Sequence, residues 1–161
     1  MVDRLQMAND LLFLQRSSFD CELWSVLDVR QDTGWQKIPL LGWVTAGLPM
    51  EICESSEQIS VPLQLVKKQT YALKVRGDSM IEANINDGDI IIIEQRQSVE
   101  SGETCVVMIN NQQVTLKRLY IDRDGVRLEP ANSAMSSIHL RNEDVQVLGI
   151  VMGLKRNAVL Q

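Results

Sequence analysis

Asp87-Gly88-Asp89-Ile90-Ile91-Ile92-Ile93 carries the clearest architectural signal in the chain. Asp-Gly marks a turn, and the four isoleucines behind it form a β-branched run too short for a stable isolated helix, which predicts a buried strand. The flanking segments carry strand signals of their own. Upstream, Tyr71-Ala72-Leu73-Lys74-Val75-Arg76 alternates apolar with polar at period two, and Ile38-Pro39-Leu40-Leu41-Gly42-Trp43-Val44 is apolar but broken by proline and glycine. Downstream, strands are expected over 104–109, 113–120, 126–129 and 145–154. Asn110-Asn111 and Asp124-Gly125, which separate three of them, tolerate the positive φ that two-residue hairpins demand. The expected fold is mostly β: a bent, mostly antiparallel sheet or partly closed barrel with little helix.

A length of 161 residues suits one compact domain with an appendage. Apolar residues at 45% and charged residues at 23% are ordinary globular values, which excludes disordered and fibrous classes. The net charge of −5 argues against binding nucleic acid by electrostatics alone. Cys21, Cys53 and Cys105 form no C-x-x-C pair, and with His139 as the single histidine no zinc set is expected, nor any other metal or cofactor. An odd cysteine count suits a reducing compartment, and Cys105 reads as a small buried hydrophobe on a strand. No stretch approaches the roughly 18 apolar residues of a membrane span, and the N-terminus lacks a basic-then-apolar signal pattern. A cytoplasmic protein with no membrane partner is expected.

Residues 1–37 read differently from the rest. Asp3 is placed to cap a short helix carrying Leu5, Ala8, Leu12 and Phe13, and a mixed segment, Phe19-Asp20-Cys21-Glu22-Leu23-Trp24, follows. The segment holds four basic and six acidic residues and shows no pair of helices around a tight glycine turn, so a complete DNA-binding helix-turn-helix is not expected. Residues 1–37 are read as an arm and 38–161 as the domain.

Gly77-Asp78-Ser79-Met80 falls where a strand ends and a helical turn begins. Such a junction exposes a hydroxyl and leaves backbone N–H groups unpaired, as an oxyanion hole requires; a plain cap or turn is the alternative. A nucleophilic serine needs a base, and His139, in Ser136-Ser137-Ile138-His139-Leu140, has no evident partner and reads as structural. Lysine can serve if burial among apolar groups disfavours its ammonium. Lys117, in Val114-Thr115-Leu116-Lys117-Arg118-Leu119, shares a strand face with Thr115 and Leu119, although a solvent-facing lysine on a strand is the common case.

Gly77-Asp78-Ser79-Met80, Asp87-Gly88-Asp89, Leu116-Lys117-Arg118-Leu119 and Pro130-Ala131-Asn132-Ser133 occur in the order and approximate spacing of the LexA/UmuD peptidases, which the chain resembles over about residues 38 to 156. The resemblance implies a Ser79–Lys117 catalytic dyad, with Gly77, Asp78 and Met80 forming the nucleophile and oxyanion loop. It also implies self-cleavage on a mobile upstream loop, at Ala46-Gly47 within Val44-Thr45-Ala46-Gly47. Small residues suit that role, because Ala46 fits a tight pocket and Gly47 lets the backbone approach the nucleophile; a simple turn before Leu48-Pro49 is the alternative. The resemblance further implies a regulator of the SOS response to DNA damage, stimulated by a RecA-DNA filament and acting as a homodimer. The terminal segment 145–154 is its candidate two-fold strand or else a core strand.

LexA-type repressors carry a winged helix-turn-helix ahead of the cleavage region, for which residues 1–37 are too short, so DNA is a partner only if a binding part lies elsewhere. The alternatives are a UmuD-like accessory of a translesion polymerase and a non-cleaving dimeric repressor or interaction module. A signal-peptidase-like enzyme also pairs Ser-Met with a lysine base, but the absence of an expected membrane anchor counts against it.

Overall fold

The structure, a computed structural model, describes residues 11–16, 24–26, 34–45 and 57–157. They form β1 (Leu11–Arg16), β2 (Trp24–Val26), β3 (Trp35–Thr45), β4 (Gln58–Pro62), β5 (Thr70–Arg76), β6 (Ile90–Glu94), β7 (Glu103–Ile109), β8 (Gln113–Asp122), β9 (Gly125–Glu129), β10 (Ile138–Leu140) and β11 (Val145–Asn157). Short 3-10 turns lie at Leu63–Leu65, Ile81–Ala83 and Asn142–Asp144. The mostly-β expectation is met, and among the described residues no helix is long and apolar enough to cross a membrane.

An open path runs β10-β9-β8-β7-β11-β6-β5-β3-β4, with β1 joined to β11 and β2 to β1. The isoleucine run is β6, held between β5 and β11. It is apolar throughout because both of its faces are covered: Ile91 and Ile93 pack into one cluster with Leu73, Val75, Met80 and Leu116, while Ile92 packs into another with Ile38, Val61 and Ala72. The sheet bends enough to bring β3 against β8, which lies far along the strand order.

Two features refine the sequence expectations and two correct them. Most pairs are antiparallel, but β3 runs parallel to β5, with Trp43 opposite Lys74 and Thr45 opposite Arg76. Leu12 and Phe13, expected on a helix, lie in β1, because the end of β11 offers a ladder that the apolar run can join; Leu5 and Ala8 lie outside the described residues. Asn110 and Asn111 take the expected positive φ, of 53° and 57°, whereas the β8–β9 hairpin turns through Arg123-Asp124, with Asp122 opposite Gly125. Gly125 is required for space: a Cβ there would stand 2.2 Å from the Leu140 carbonyl oxygen. Finally, β11 pairs with β7 over Val145–Ile150 and with β6 over Ile150–Lys155, which is the core-strand alternative.

Candidate active site

The nucleophile loop leaves the end of β5 through Gly77, whose φ of +90° an L side chain rarely adopts. Its N–H donates to Asp87 Oδ1 at 2.9 Å. Met80 is 1% exposed and anchors the loop in the core, and the 3-10 turn Ile81–Ala83 comes next, as the junction predicted. Segment 130–133 braces this loop from across the fold. Asn132 Nδ2 donates to the Asp78 carbonyl at 2.8 Å, the Glu82 N–H to the Ala131 carbonyl at 2.7 Å, and the Ser133 N–H to Glu82 Oε2 at 2.7 Å. The Ser133 amide also holds the Glu82 carboxyl below its ordinary pKa. A second brace comes from β11. Arg156 donates to both oxygens of the buried Asp89 carboxylate, at 2.9 and 2.7 Å, and to the Asn84 carbonyl at 2.6 Å, where Asn84 closes the turn in the left-handed region.

Ser79 is 7% exposed. The amides of Ser79 and Met80 donate to nothing among the described residues, so two N–H groups stand unpaired beside the hydroxyl.

Lys117 is 5% exposed although it carries an ionisable amine. It stands on β8 opposite Cys105, which is fully buried as the sequence suggested. Desolvation pushes its pKa down from 10.5 to about 8. Lys117 Nζ donates to Thr115 Oγ1 at 2.7 Å and to the Leu116 carbonyl at 3.3 Å. An ammonium has three N–H donors and here meets two acceptors; a neutral amine has two N–H groups, both satisfied, and keeps its lone pair. Burial therefore favours the neutral form, and these two hydrogen bonds can be made by it.

No hydrogen bond joins Ser79 to Lys117 among the described residues; the amine rests on Thr115 instead. What unites the candidates is the core beneath them. Met80, which follows Ser79, Leu116, which precedes Lys117, and Val44, which precedes Thr45-Ala46, all belong to one packed cluster. Ala46 and Gly47 themselves lie outside the described residues. His139 is exposed on β10, beside a surface depression lined by Asp122, Asp124 and Arg141. The sequence alone gives Asn132 no role and Arg156 no signal at all; partners so distant along the chain leave no periodic trace.

The fold thus sets a buried serine in the loop that follows one strand and a buried lysine on another. A family model described as Peptidase S24-like matches residues 39–152, and the chain belongs to that family. Similar proteins include the LexA repressor of Syntrophobacter fumaroxidans, 43% identical over 126 residues, covering 78% of this chain and 61% of that protein. The LexA repressor of Bacillus thuringiensis (strain Al Hakam) is 40% identical over 134 residues, covering 80% and 64%. That of Halalkalibacterium halodurans is 43% identical over 121 residues, covering 74% and 58%. The chain thus spans less than two thirds of the length of these relatives.

Proposed function

We propose that this chain is the self-cleaving part of a LexA-like regulator of the DNA-damage response, with Ser79 as nucleophile, Lys117 as general base and Ala46-Gly47 as the bond cut. The burial of Lys117, with its pKa near 8, carries the reading, since a surface lysine would be charged and useless as a base at neutral pH. The parallel pairing of β3 with β5 supports it: Thr45 and Arg76 are opposite one another, so the strand that precedes Ala46-Gly47 in sequence and the strand that precedes Gly77-Asp78-Ser79 end side by side.

In this mechanism Ser79 Oγ attacks the Ala46 carbonyl carbon while Lys117 takes the hydroxyl proton. The amides of Ser79 and Met80 receive the oxyanion, with Gly77 and Asp78 setting the loop that aims them. Collapse breaks the C–N bond, Lys117 returns the proton to the Gly47 amine, and water then hydrolyses the Ser79 ester. Residues 38–161 serve as peptidase and dimerisation unit, and 1–37 as an arm. The setting is the cytoplasm, the stimulus a RecA-DNA filament and the assembly a homodimer. The name shared by the relatives favours a repressor over an accessory to a translesion polymerase.

The test is incubation of the purified chain without added protease, followed by mass spectrometry. Pieces 1–46 and 47–161 are expected from the wild type and from His139→Ala, and neither piece from Ser79→Ala or Lys117→Ala, since nucleophile and base act as a unit. Cutting at another bond, or an inert His139→Ala beside an active Lys117→Ala, would sink the assignment.

A further inference from the structure

Trp43 stands on β3 directly opposite Lys74 of β5. The Arg76 guanidinium carbon lies 3.6 Å from the centre of its ring, and Lys74 Nζ lies 4.7 Å from it. These are two cation–π contacts to one indole, and they tie together the ends of β3 and β5. Past Arg76 the chain enters Gly77-Asp78-Ser79; past Thr45 it enters Ala46-Gly47.

The pairing of β3 with β5 is irregular at this point. The ladder pairs Leu40 with Ala72 and then Trp43 with Lys74, so β3 spends three residues where β5 spends two. This bulge leaves Trp43, Val44 and Thr45 as the pairs that hold the strand end in register. Val44 is buried in the core and holds that register from within. The Trp43 ring over Arg76 adds a second hold, because it spans the register diagonally, from the position opposite Lys74 to the position opposite Thr45.

We propose that Trp43, clasped by Arg76, is a positioning residue for self-cleavage: it sets the point at which the cleavage segment leaves the sheet relative to the nucleophile loop. This rests on the Ser79–Lys117 reading above. An attack that requires the Ala46 carbonyl within about 3–3.5 Å of Ser79 Oγ is sensitive to a slip of the strand that feeds it. Trp43 acts through the register of β3.

The experiment is the self-cleavage rate of the full chain between pH 7 and 10 for wild type, Trp43→Ala, Trp43→Phe, Arg76→Gln and Trp43→Ala/Arg76→Gln. Trp43→Ala and Arg76→Gln are each expected to slow cutting by about three- to thirtyfold. Trp43→Phe, which keeps a ring for the guanidinium, restores most of the rate. The double variant is no slower than the slower single one, because both remove the same contact. The pH midpoint stays at the wild-type value in all of them, since Lys117 is untouched. Wild-type rates in both single variants, or losses that multiply in the double variant, would overturn the proposal. So would a midpoint that climbs towards the free-lysine range, which reports a loosened core instead of a misplaced segment. A wild type that never cuts refutes the dyad reading itself, a result distinct from all of these.

Discussion

Lys117 is the one buried amine among the residues that carry the proposed chemistry, and its burial has two separable consequences. The first is kinetic. Only the neutral amine can take the Ser79 proton, so the rate should rise with pH and level off above a midpoint near 8, with roughly a tenth of the molecules competent at pH 7. A profile with its midpoint near 10, or one that falls between pH 7 and 10, removes the buried base. The second consequence is thermodynamic. The folded pKa, about 8, lies below the unfolded 10.5, so between these values the unfolded chain binds more protons and stability rises with pH. Below pH 8 the burial costs about 3 kcal/mol. Lys117→Met should therefore be inactive yet more stable at pH 7 by about 2 kcal/mol, after the loss of the partner of Thr115 is set against the gain. Urea unfolding checks this at pH 7 and pH 10: the advantage must shrink at the higher pH, and an advantage of equal size at both would mean that Lys117 is not strained by its burial.

Among the elements, the loop 77–80 is rigid through contacts made far along the chain. Asn132→Ala removes the bond to the Asp78 carbonyl and should lower stability by about 1 kcal/mol. It should slow self-cleavage about tenfold, because Ser79 loses its aim. The pH midpoint should not move, since Lys117 stands on β8, apart from this brace. A shifted midpoint with normal stability would show that segment 130–133 acts on the base and not on the nucleophile loop. The strands themselves are legible wherever period two or a β-branched run leaves a local mark, as in β5, β6, β7 and β8. β4 has the alternation too, in Gln58-Ile59-Ser60-Val61, but it is short and ends in Pro62. β1 reads wrongly as a helix because Leu11-Leu12-Phe13-Leu14 suits a helix or a strand equally, and pairing with β11 settles which. The parallel run of β3 beside β5 leaves no mark in either segment, since side-chain alternation is the same for both directions of pairing. Ser79 and Lys117 are each only weak candidates by residue type and surroundings and are joined by the resemblance of the ordered motifs, whereas the braces from Asn132 and Arg156 depend on tertiary contacts that no local pattern encodes.

At the scale of the whole molecule the charge distribution bears on what the chain can hold. The net charge is −5, and residues 1–37 hold six acidic against four basic side chains. Several guanidinium groups that a phosphate backbone would need are already paired with carboxylates: Arg156 with Asp89, Arg96 with Glu94, Arg127 with Asp122 and Glu129, and Arg141 with Glu143 and Asp144. Counterion release, the main source of affinity for duplex DNA, requires cations that are free to displace the condensed ions, and paired arginines displace few. The relatives are named repressors, but the chain spans less than two thirds of their length, so their name says nothing about whether this portion touches DNA. The isolated 161-residue chain is therefore expected to bind duplex DNA no more tightly than about 10 µM at physiological salt, without sequence preference. Fluorescence anisotropy with a labelled duplex checks this, using Ser79→Ala so that the chain stays whole during the titration. Lowering the salt should tighten any binding only slightly, because few phosphates are neutralised. Nanomolar binding to one sequence and not to another would show that residues 1–37 form a compact reader despite their charge, and the division into arm and domain would have to be redrawn.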